Sequence, residues 1–240
     1  LNAIGLAKIG LKRFLKEKLP LLEKIQPAVF VKLAGRTIDD YVQVAQELSG
    51  CSAIAGFELN ISCPNVKKGG ITFGTDPIQI EDITAKVKKV SADKPLMVKL
   101  TPAVTDICQT AKAAINGGAD ALSLINTFTA LVLDIEKRKP VLANRTGGLS
   151  GPAIKPIAVY LVNKVYNEVA KPNNIPIMGL GGIQNGSDAI EFIIAGATVV
   201  AIGTSSFVNP DSSARVAKGI EEYCIKNEIK NIKELTGCLR

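Results

Sequence analysis

The chain has 240 residues, 47% of them hydrophobic, and a formal charge of +7 from 29 Lys and Arg against 22 Asp and Glu. That supplies apolar material for one large core, and a single α/β barrel falls in this size range. No run of about eighteen apolar residues indicates a membrane span, and the absence of histidine excludes His-based acid–base catalysis and most catalytic metal sites. The five cysteines are Cys51, Cys63, Cys108, Cys224 and Cys238. They form neither a zinc pattern nor a disulfide framework, so a reducing cytoplasm is expected. Leu1 to Gly10 lack the charged start and cleavage pattern of a signal peptide. The basic clusters Lys12, Arg13, Lys16 and Lys18, and Lys86, Lys88 and Lys89, read as solvated helix faces. Few aromatics lie among them, so nucleic acid is not the expected partner. The positive balance suits small anionic ligands.

In chain order, residues 1–10 read as a loop. Leu11 to Lys24 has helical spacing and ends near Pro27. Ala28 to Leu33 is a short apolar strand. Thr37 caps a helix running to about Ser49, with Asp39 and Asp40 in its first turn. Phe57 to Ile61 is the second strand, broken by Pro64. The loop from Cys63 to Pro77 is long, glycine-bearing and mostly polar, a form that often carries function. Ile78 to Ser91 is a helix, Leu96 to Leu100 a strand, and Thr105 to Asn116 a helix stopped by Gly117-Gly118. Ala121 to Ile125 is a strand, followed by a long segment from Asn126 to Gly151. Ala153 to Val169 is a helix, Ile175 to Leu180 a strand, Ser187 to Ala195 a helix and Thr198 to Ile202 the last strand. A short helix follows Gly203, then a longer one from Asp211 to Lys226 and a final turn over Asn231 to Leu235.

Six apolar strands alternating with helices indicate a parallel sheet covered on both faces. The expectation is a (β/α)8 barrel with about six βα units present, one domain over residues 1–240. The eight-unit barrel needs about two more units of roughly thirty residues each, so an N-terminally incomplete chain is expected. A six-stranded arrangement is the alternative.

The strand ends carry the chemistry-bearing residues. Asn60, Cys63 and Asn65 cluster where the second strand becomes loop. Two amides can orient a planar polar ligand, and a thiol can exchange a proton or attack a carbon. A buried Cys beside two loop-forming Asn is the plainer alternative. Gly179-Leu180-Gly181-Gly182-Ile183 and Gly203-Thr204 follow the last two strands, where barrels commonly bind phosphate on backbone N–H groups and helix N-termini. Two tight turns without a ligand are the alternative there. Gly147-Gly148-Leu149-Ser150-Gly151 lies on the same rim. Lys99 ends an otherwise apolar strand, a position that is costly unless the ammonium meets an anion or reaches solvent. Asn126-Thr127 ends the next strand in the same position.

The combination of Asn2-Ala3-Ile4-Gly5-Leu6, Glu58 to Asn65, Gly69 to Pro77, Val98 to Pro102, Gly147 to Pro152, Gly179 to Ile183 and Gly203-Thr204 resembles dihydroorotate dehydrogenase. The resemblance runs from Leu1 into the C-terminal region. Cys63 and the Gly69 to Pro77 loop look like the class 1B catalytic subunit. The resemblance implies an FMN-containing barrel that oxidises (S)-dihydroorotate to orotate. It makes Cys63 the base at C5, while hydride leaves C6 for the flavin. A free thiol has a pKa near 8.5, so a modest depression gives thiolate near neutral pH. Asn60, Asn65, Asn126 and Thr127 would hold the substrate, with Asn2, Ala3, Ile4, Gly5 and Leu6 on its other side. Asn60, Lys99, Ile125, Gly151, Gly181, Gly182, Gly203 and Thr204 would bind FMN. The implied partner is an electron-transfer subunit with FAD and a 2Fe–2S cluster that passes electrons to NAD, in a dimer of heterodimers. No metal ligand and no membrane contact are implied.

Three departures from the family stand out. Two strands expected before Asn2, carrying a Ser-Gly flavin contact and a Lys, are absent from this sequence. Lys32 stands where the family usually has a flavin-contacting Asn. Ala7-Lys8-Ile9 replaces the usual Gln-Asn-Pro. Lys has no acceptor, so the contact at position 32 is expected to change or be lost. A flavin barrel acting on another dihydropyrimidine, or a phosphate-binding barrel without flavin, are the alternatives.

Overall fold

Apolar runs bounded by turn residues form six parallel strands of one curled sheet. The structure is a computed structural model that describes residues 1–5, 9–62 and 71–240. A helical stretch comes first, made of α1 (Leu11–Arg13), a π-helical turn (Phe14–Lys18) and α2 (Leu19–Leu22). β1 (Phe30–Leu33) leads to α3 (Ile38–Ser49), and β2 (Gly56–Asn60) to α4 (Ile71–Gly74) and α5 (Pro77–Val90). β3 (Leu96–Lys99) leads to α6 (Ile107–Asn116), and β4 (Ala121–Leu124) to four short strands, β5 (Phe128–Ala130), β6 (Leu133–Asp134), β7 (Lys139–Pro140) and β8 (Gly147–Leu149). Then follow α7 (Lys155–Val165), β9 (Ile177–Leu180), α8 (Gly186–Ala195), β10 (Val199–Ala201), α9 (Ser205–Val208) and α10 (Ser212–Lys226).

The sheet order is β1-β2-β3-β4-β9-β10, so consecutive long strands are neighbours. This is the (β/α) barrel plan followed over six strands, as the alternation of apolar strands and helices predicts. The cap expected at Thr37 is present. Its hydroxyl accepts the Asp40 N–H (3.2 Å), and the Asp40 carboxylate accepts the Thr37 N–H (3.0 Å). Ile61, Leu100 and Ile125 lie one residue past the strands predicted to contain them, and all three stay buried. The long segment Asn126 to Gly151 contains two antiparallel ladders, β5 with β8 and β6 with β7. Its strands are two or three residues long, too short for side-chain alternation to register.

Alternation along the long strands divides the molecule into two interiors. One set of positions, including Phe57, Leu59, Val98, Leu122 and Leu124, is fully buried against the helices. The helices answer with Tyr41, Ile83, Val87, Val162 and Phe192, also fully buried. Each such aliphatic or aromatic side chain contributes roughly 1.5–3 kcal/mol by leaving water. The other set faces the concave side of the sheet and is far more polar: Lys32, Glu58, Asn60, Lys99 and Ser123, in register across β1 to β4. Among the described residues no helix is long and apolar enough to cross a membrane.

Candidate active site

β2 ends at Asn60, which is 3% exposed. The Tyr41 hydroxyl of α3 donates to the Asn60 carbonyl at 2.9 Å, so helix and strand end are tied together. Asn60 Oδ1 accepts from the Ser62 N–H (3.3 Å) and O–H (3.1 Å). Asn126, just past β4, donates its Nδ2 to the Ser62 hydroxyl (2.8 Å) and carbonyl (2.9 Å). Its Oδ1 accepts the Thr127 N–H at 2.8 Å. The two strand ends are thereby braced across β3, whose own end is Lys99, 8% exposed. After residues 63–70 the chain returns to the same place. The Phe73 ring packs edge-on to Tyr41 with centroids 6.2 Å apart, and Gly74 lies too close to the Ile61 carbonyl for any side chain.

A cleft of about 220 Å³ runs across these strand ends. It is lined by Lys99, by Ile125, Asn126 and Thr127, and by Gly151, Gly181, Gly182, Gly203 and Thr204. Ser150 joins the wall and accepts the Thr204 hydroxyl at 2.8 Å. Gly151, Gly181 and Gly182 have φ of +86°, +136° and +83°, which places them where only glycine sits without strain. Gly203 differs: its φ is unexceptional and a Cβ there would meet nothing within 4 Å. The backbone at Gly203 therefore borders open space. Asn2 reaches the same rim from far away in the chain. Its backbone pairs with Gly148 in both directions (3.0 and 2.7 Å), and its Nδ2 approaches Ser150 Oγ at 3.5 Å.

The turn holding Gly181 and Gly182 is fixed by Asp188 in the first turn of α8. Its carboxylate accepts from the Gln184 N–H (2.9 Å), the Asn185 N–H (3.3 Å) and Lys155 Nζ (2.7 Å). Burial pushes the Asp188 carboxyl up, but Lys155 and the two backbone donors outweigh it and hold the carboxyl below its ordinary range. Glu58 behaves alike on the concave face. Burial raises it, and the charges of Lys99 and Lys32 with the Ser123 hydroxyl lower it further than burial lifts it. Both groups bind a proton less readily folded than unfolded. Their stabilisation is complete above the unfolded carboxylate pKa of about 4 and fades as pH falls through that value toward the folded one. Asp188→Asn should lose about 2 kcal/mol at pH 7, and its melting temperature should fall less steeply between pH 6 and pH 3 than that of the wild type. Parallel pH slopes for the two proteins would exclude Asp188 as a source of the acid sensitivity.

Residues 1–224 match the family model described as dihydroorotate dehydrogenase. The chain is 51% identical over 239 residues to a protein of Citrifermentans bemidjiense named dihydroorotate dehydrogenase B (NAD(+)), catalytic subunit. Relatives of the same name in Geotalea daltonii and Alkaliphilus metalliredigens are 50% and 51% identical. In each case the whole of this chain and 77% of the relative are covered. The chain belongs to the dihydroorotate dehydrogenase family. Such an enzyme of oxidoreductase type accords with a barrel whose polar groups converge at the strand ends.

Of the residues that the sequence singles out, Lys99, Ile125, Asn126, Thr127, Gly151, Gly181, Gly182, Gly203 and Thr204 share one cleft, and Asn60 is linked to it through Ser62 and Asn126. Ala3 and Gly5 are half-buried beside Asn2, while Ile4 is 58% exposed. Leu6, Cys63 and Asn65 fall outside the described residues. Lys32 lies beside Glu58, with Nζ 3.4 Å from Oε2. Sequence reasoning assigned no individual role to Glu58, Ser62 or Ser123, and named Ser150 only as part of the small-residue loop on the rim. The signal for Glu58 was available: a charged residue within an apolar strand, the argument that singled out Lys99. The serines carried no such signal, since their roles come from strands brought together by folding.

Proposed function

We propose that this chain oxidises (S)-dihydroorotate to orotate in pyrimidine synthesis, in the cytoplasm, with FMN as cofactor and within one barrel domain spanning residues 1–240. One observation carries the proposal: a single cleft is lined by a buried lysine, by Asn126 and Thr127, and by the glycine turns after β9 and β10. That donor set fits FMN. Backbone at Gly181, Gly182 and Gly203 suits a phosphate, and open space beside Gly203 permits close approach. When bound, FMN supplies the hydride acceptor. Lys99 contributes a fixed positive charge on the side where electron density increases during the reaction.

Ile125 and Gly151 contribute cleft wall, and Thr204 a hydroxyl held by Ser150. Asn60, Asn65, Asn126 and Thr127 orient the pyrimidine ring and its carboxylate. Asn126 uses both ends of its amide in the protein, so it offers the remaining lone pair of Oδ1. Asn2, Ala3, Ile4, Gly5 and Leu6 close the substrate from the opposite side. Cys63 takes the proton from C5. The relatives' names speak of a catalytic subunit and of NAD(+). Electrons accordingly pass to NAD through a partner subunit that carries FAD and a 2Fe–2S cluster, in a homodimer of such pairs.

The test is the visible spectrum of the purified 240-residue chain. A flavin spectrum that bleaches anaerobically with dihydroorotate is the expected result. A folded, colourless protein that takes up no added FMN would overturn the flavin reading. A flavoprotein unreduced by dihydroorotate would overturn the substrate.

A further inference from the structure

Leu180, Gly181, Gly182, Ile183 and Gln184, the turn after β9, line the cleft. Lys155, the first residue of α7, is not one of the lining residues but packs against this turn. A Cβ built at Gly182 would lie 2.8 Å from Lys155 Cβ and 3.2 Å from its Cα. The Lys155 ammonium crosses to α8, where it lies 2.7 Å from Asp188 Oδ1 and 2.6 Å from Glu191 Oε1. Asp188 divides its carboxylate between two tasks. Oδ1 takes the lysine, and Oδ2 accepts from the N–H groups of Gln184 (2.9 Å) and Asn185 (3.3 Å), where the turn enters α8. The lysine therefore sets the rotation of the carboxylate that holds the end of the turn. Within α7 a cation is disfavoured at this position, because the N-terminal end of a helix repels positive charge. The carboxylates of α8 supply the compensation. The Lys155 and Asp188 side chains are 22% and 12% exposed, so solvent screens their contact less than it screens a surface pair.

We propose that Lys155 is a positioning residue for the phosphate end of the cleft: by clamping Asp188 it holds residues 181–184 in the shape that presents backbone N–H groups to a phosphate. The inference rests on the flavin reading above. Lys155 acts through Asp188 and not by touching the ligand. Glu191 meets the same ammonium from the second turn of α8, with its side chain 50% exposed, and among the described residues no hydrogen bond joins it to the turn. The two carboxylates therefore have different consequences. Loss of Lys155 or Asp188 releases the turn, and loss of Glu191 leaves it held. A flavin without a phosphate gains little from the turn, so its affinity serves as the internal control.

The test compares FMN with riboflavin, its phosphate-free analogue, on wild type, Lys155→Met, Lys155→Arg, Asp188→Asn and Glu191→Gln. Flavin fluorescence quenching gives the dissociation constants, at a temperature where circular dichroism shows each protein folded. Lys155→Met and Asp188→Asn should each weaken FMN about tenfold and riboflavin by less than about twofold. Lys155→Arg keeps a cation within reach of Asp188 and should bind FMN within about threefold of wild type. Glu191→Gln should match wild type for both flavins. Equal losses of FMN and riboflavin in Lys155→Met would reduce the lysine to a general part of the fold and overturn the proposal. An arginine variant as weak as the methionine one, or Glu191→Gln as weak as either, would also overturn it. Tighter FMN in Asp188→Asn would show the carboxylate acting by repulsion of the phosphate, which contradicts a positioning role. Wild type that binds no FMN would overturn the flavin reading and this inference together, whereas failure among the variants alone leaves that reading standing.

Discussion

Cys63→Ser should lower kcat for dihydroorotate oxidation by roughly 10²- to 10⁴-fold at neutral pH, the contribution typical of a positioned general base. The expected loss corresponds to about 3–5 kcal/mol of barrier. A thiol ionises near pH 8.5 when free, whereas an alcohol stays protonated throughout the accessible range. The variant therefore keeps the shape of the site and loses the proton acceptor. The residues on both sides of this segment are anchored at the barrel mouth, Ser62 by Asn126 and Phe73 by Tyr41. A serine at position 63 should leave those anchors in place, so flavin content and orotate binding should match the wild type. The pH profile is the diagnostic reading. Wild-type activity should rise with pH and level off in the thiol range, and the variant should keep rising to the alkaline limit. Retention of more than a tenth of wild-type kcat would remove Cys63 from the role of base.

The second large effect concerns the phosphate end and pairs two glycines that look equivalent in sequence. Gly182→Ala should destabilise the protein by about 3 kcal/mol, summing a left-handed backbone penalty and overpacking. Its φ is +83°, and an added Cβ would lie 2.7 Å from the Gly151 carbonyl oxygen and 2.8 Å from Lys155 Cβ. The carbonyl belongs to the main chain and cannot rotate away. For a domain of this size the melting temperature should fall by roughly 6–12 °C. Gly203→Ala should leave the melting temperature of the flavin-free protein unchanged, because its Cβ meets no atom within 4 Å and its φ is ordinary. It should nonetheless weaken FMN, since the methyl group would occupy space that the phosphate needs. The pair separates stability from ligand approach. Thermal melts without flavin, followed by FMN titration, read the two effects. Unaltered FMN affinity in Gly203→Ala would remove that glycine from the cofactor site.

The legibility of this chain differs between its levels. The six long strands and the helices between them were readable because each is a mostly apolar run or a 3.6-residue pattern, in places with a side-chain cap, as at Thr37 and Asp40. The antiparallel pieces between β4 and α7 were not, because a two-residue strand such as Lys139–Pro140 has no period to read. Within the site, Lys99, Asn126 and the late glycines stood out as residues whose types fit poorly with an apolar strand or an ordinary turn. They share one cleft because parallel strands put their C-terminal ends on one rim. Ser62 and Ser150 did not stand out, since a serine in a loop is ordinary until its neighbours are known.

By itself the sequence determined the class of fold and the family. Each rests on local patterns and on residue types at fixed spacings, which the linear chain preserves. Only the tertiary structure decided the pairings: Asn126 with Ser62, Asn2 with Gly148, Asp188 with Lys155, and Glu58 with Lys32 and Ser123. Charge balance on the concave face belongs to this second group. Lys32 meets Glu58 because strand register sets the two side by side across β1 and β2.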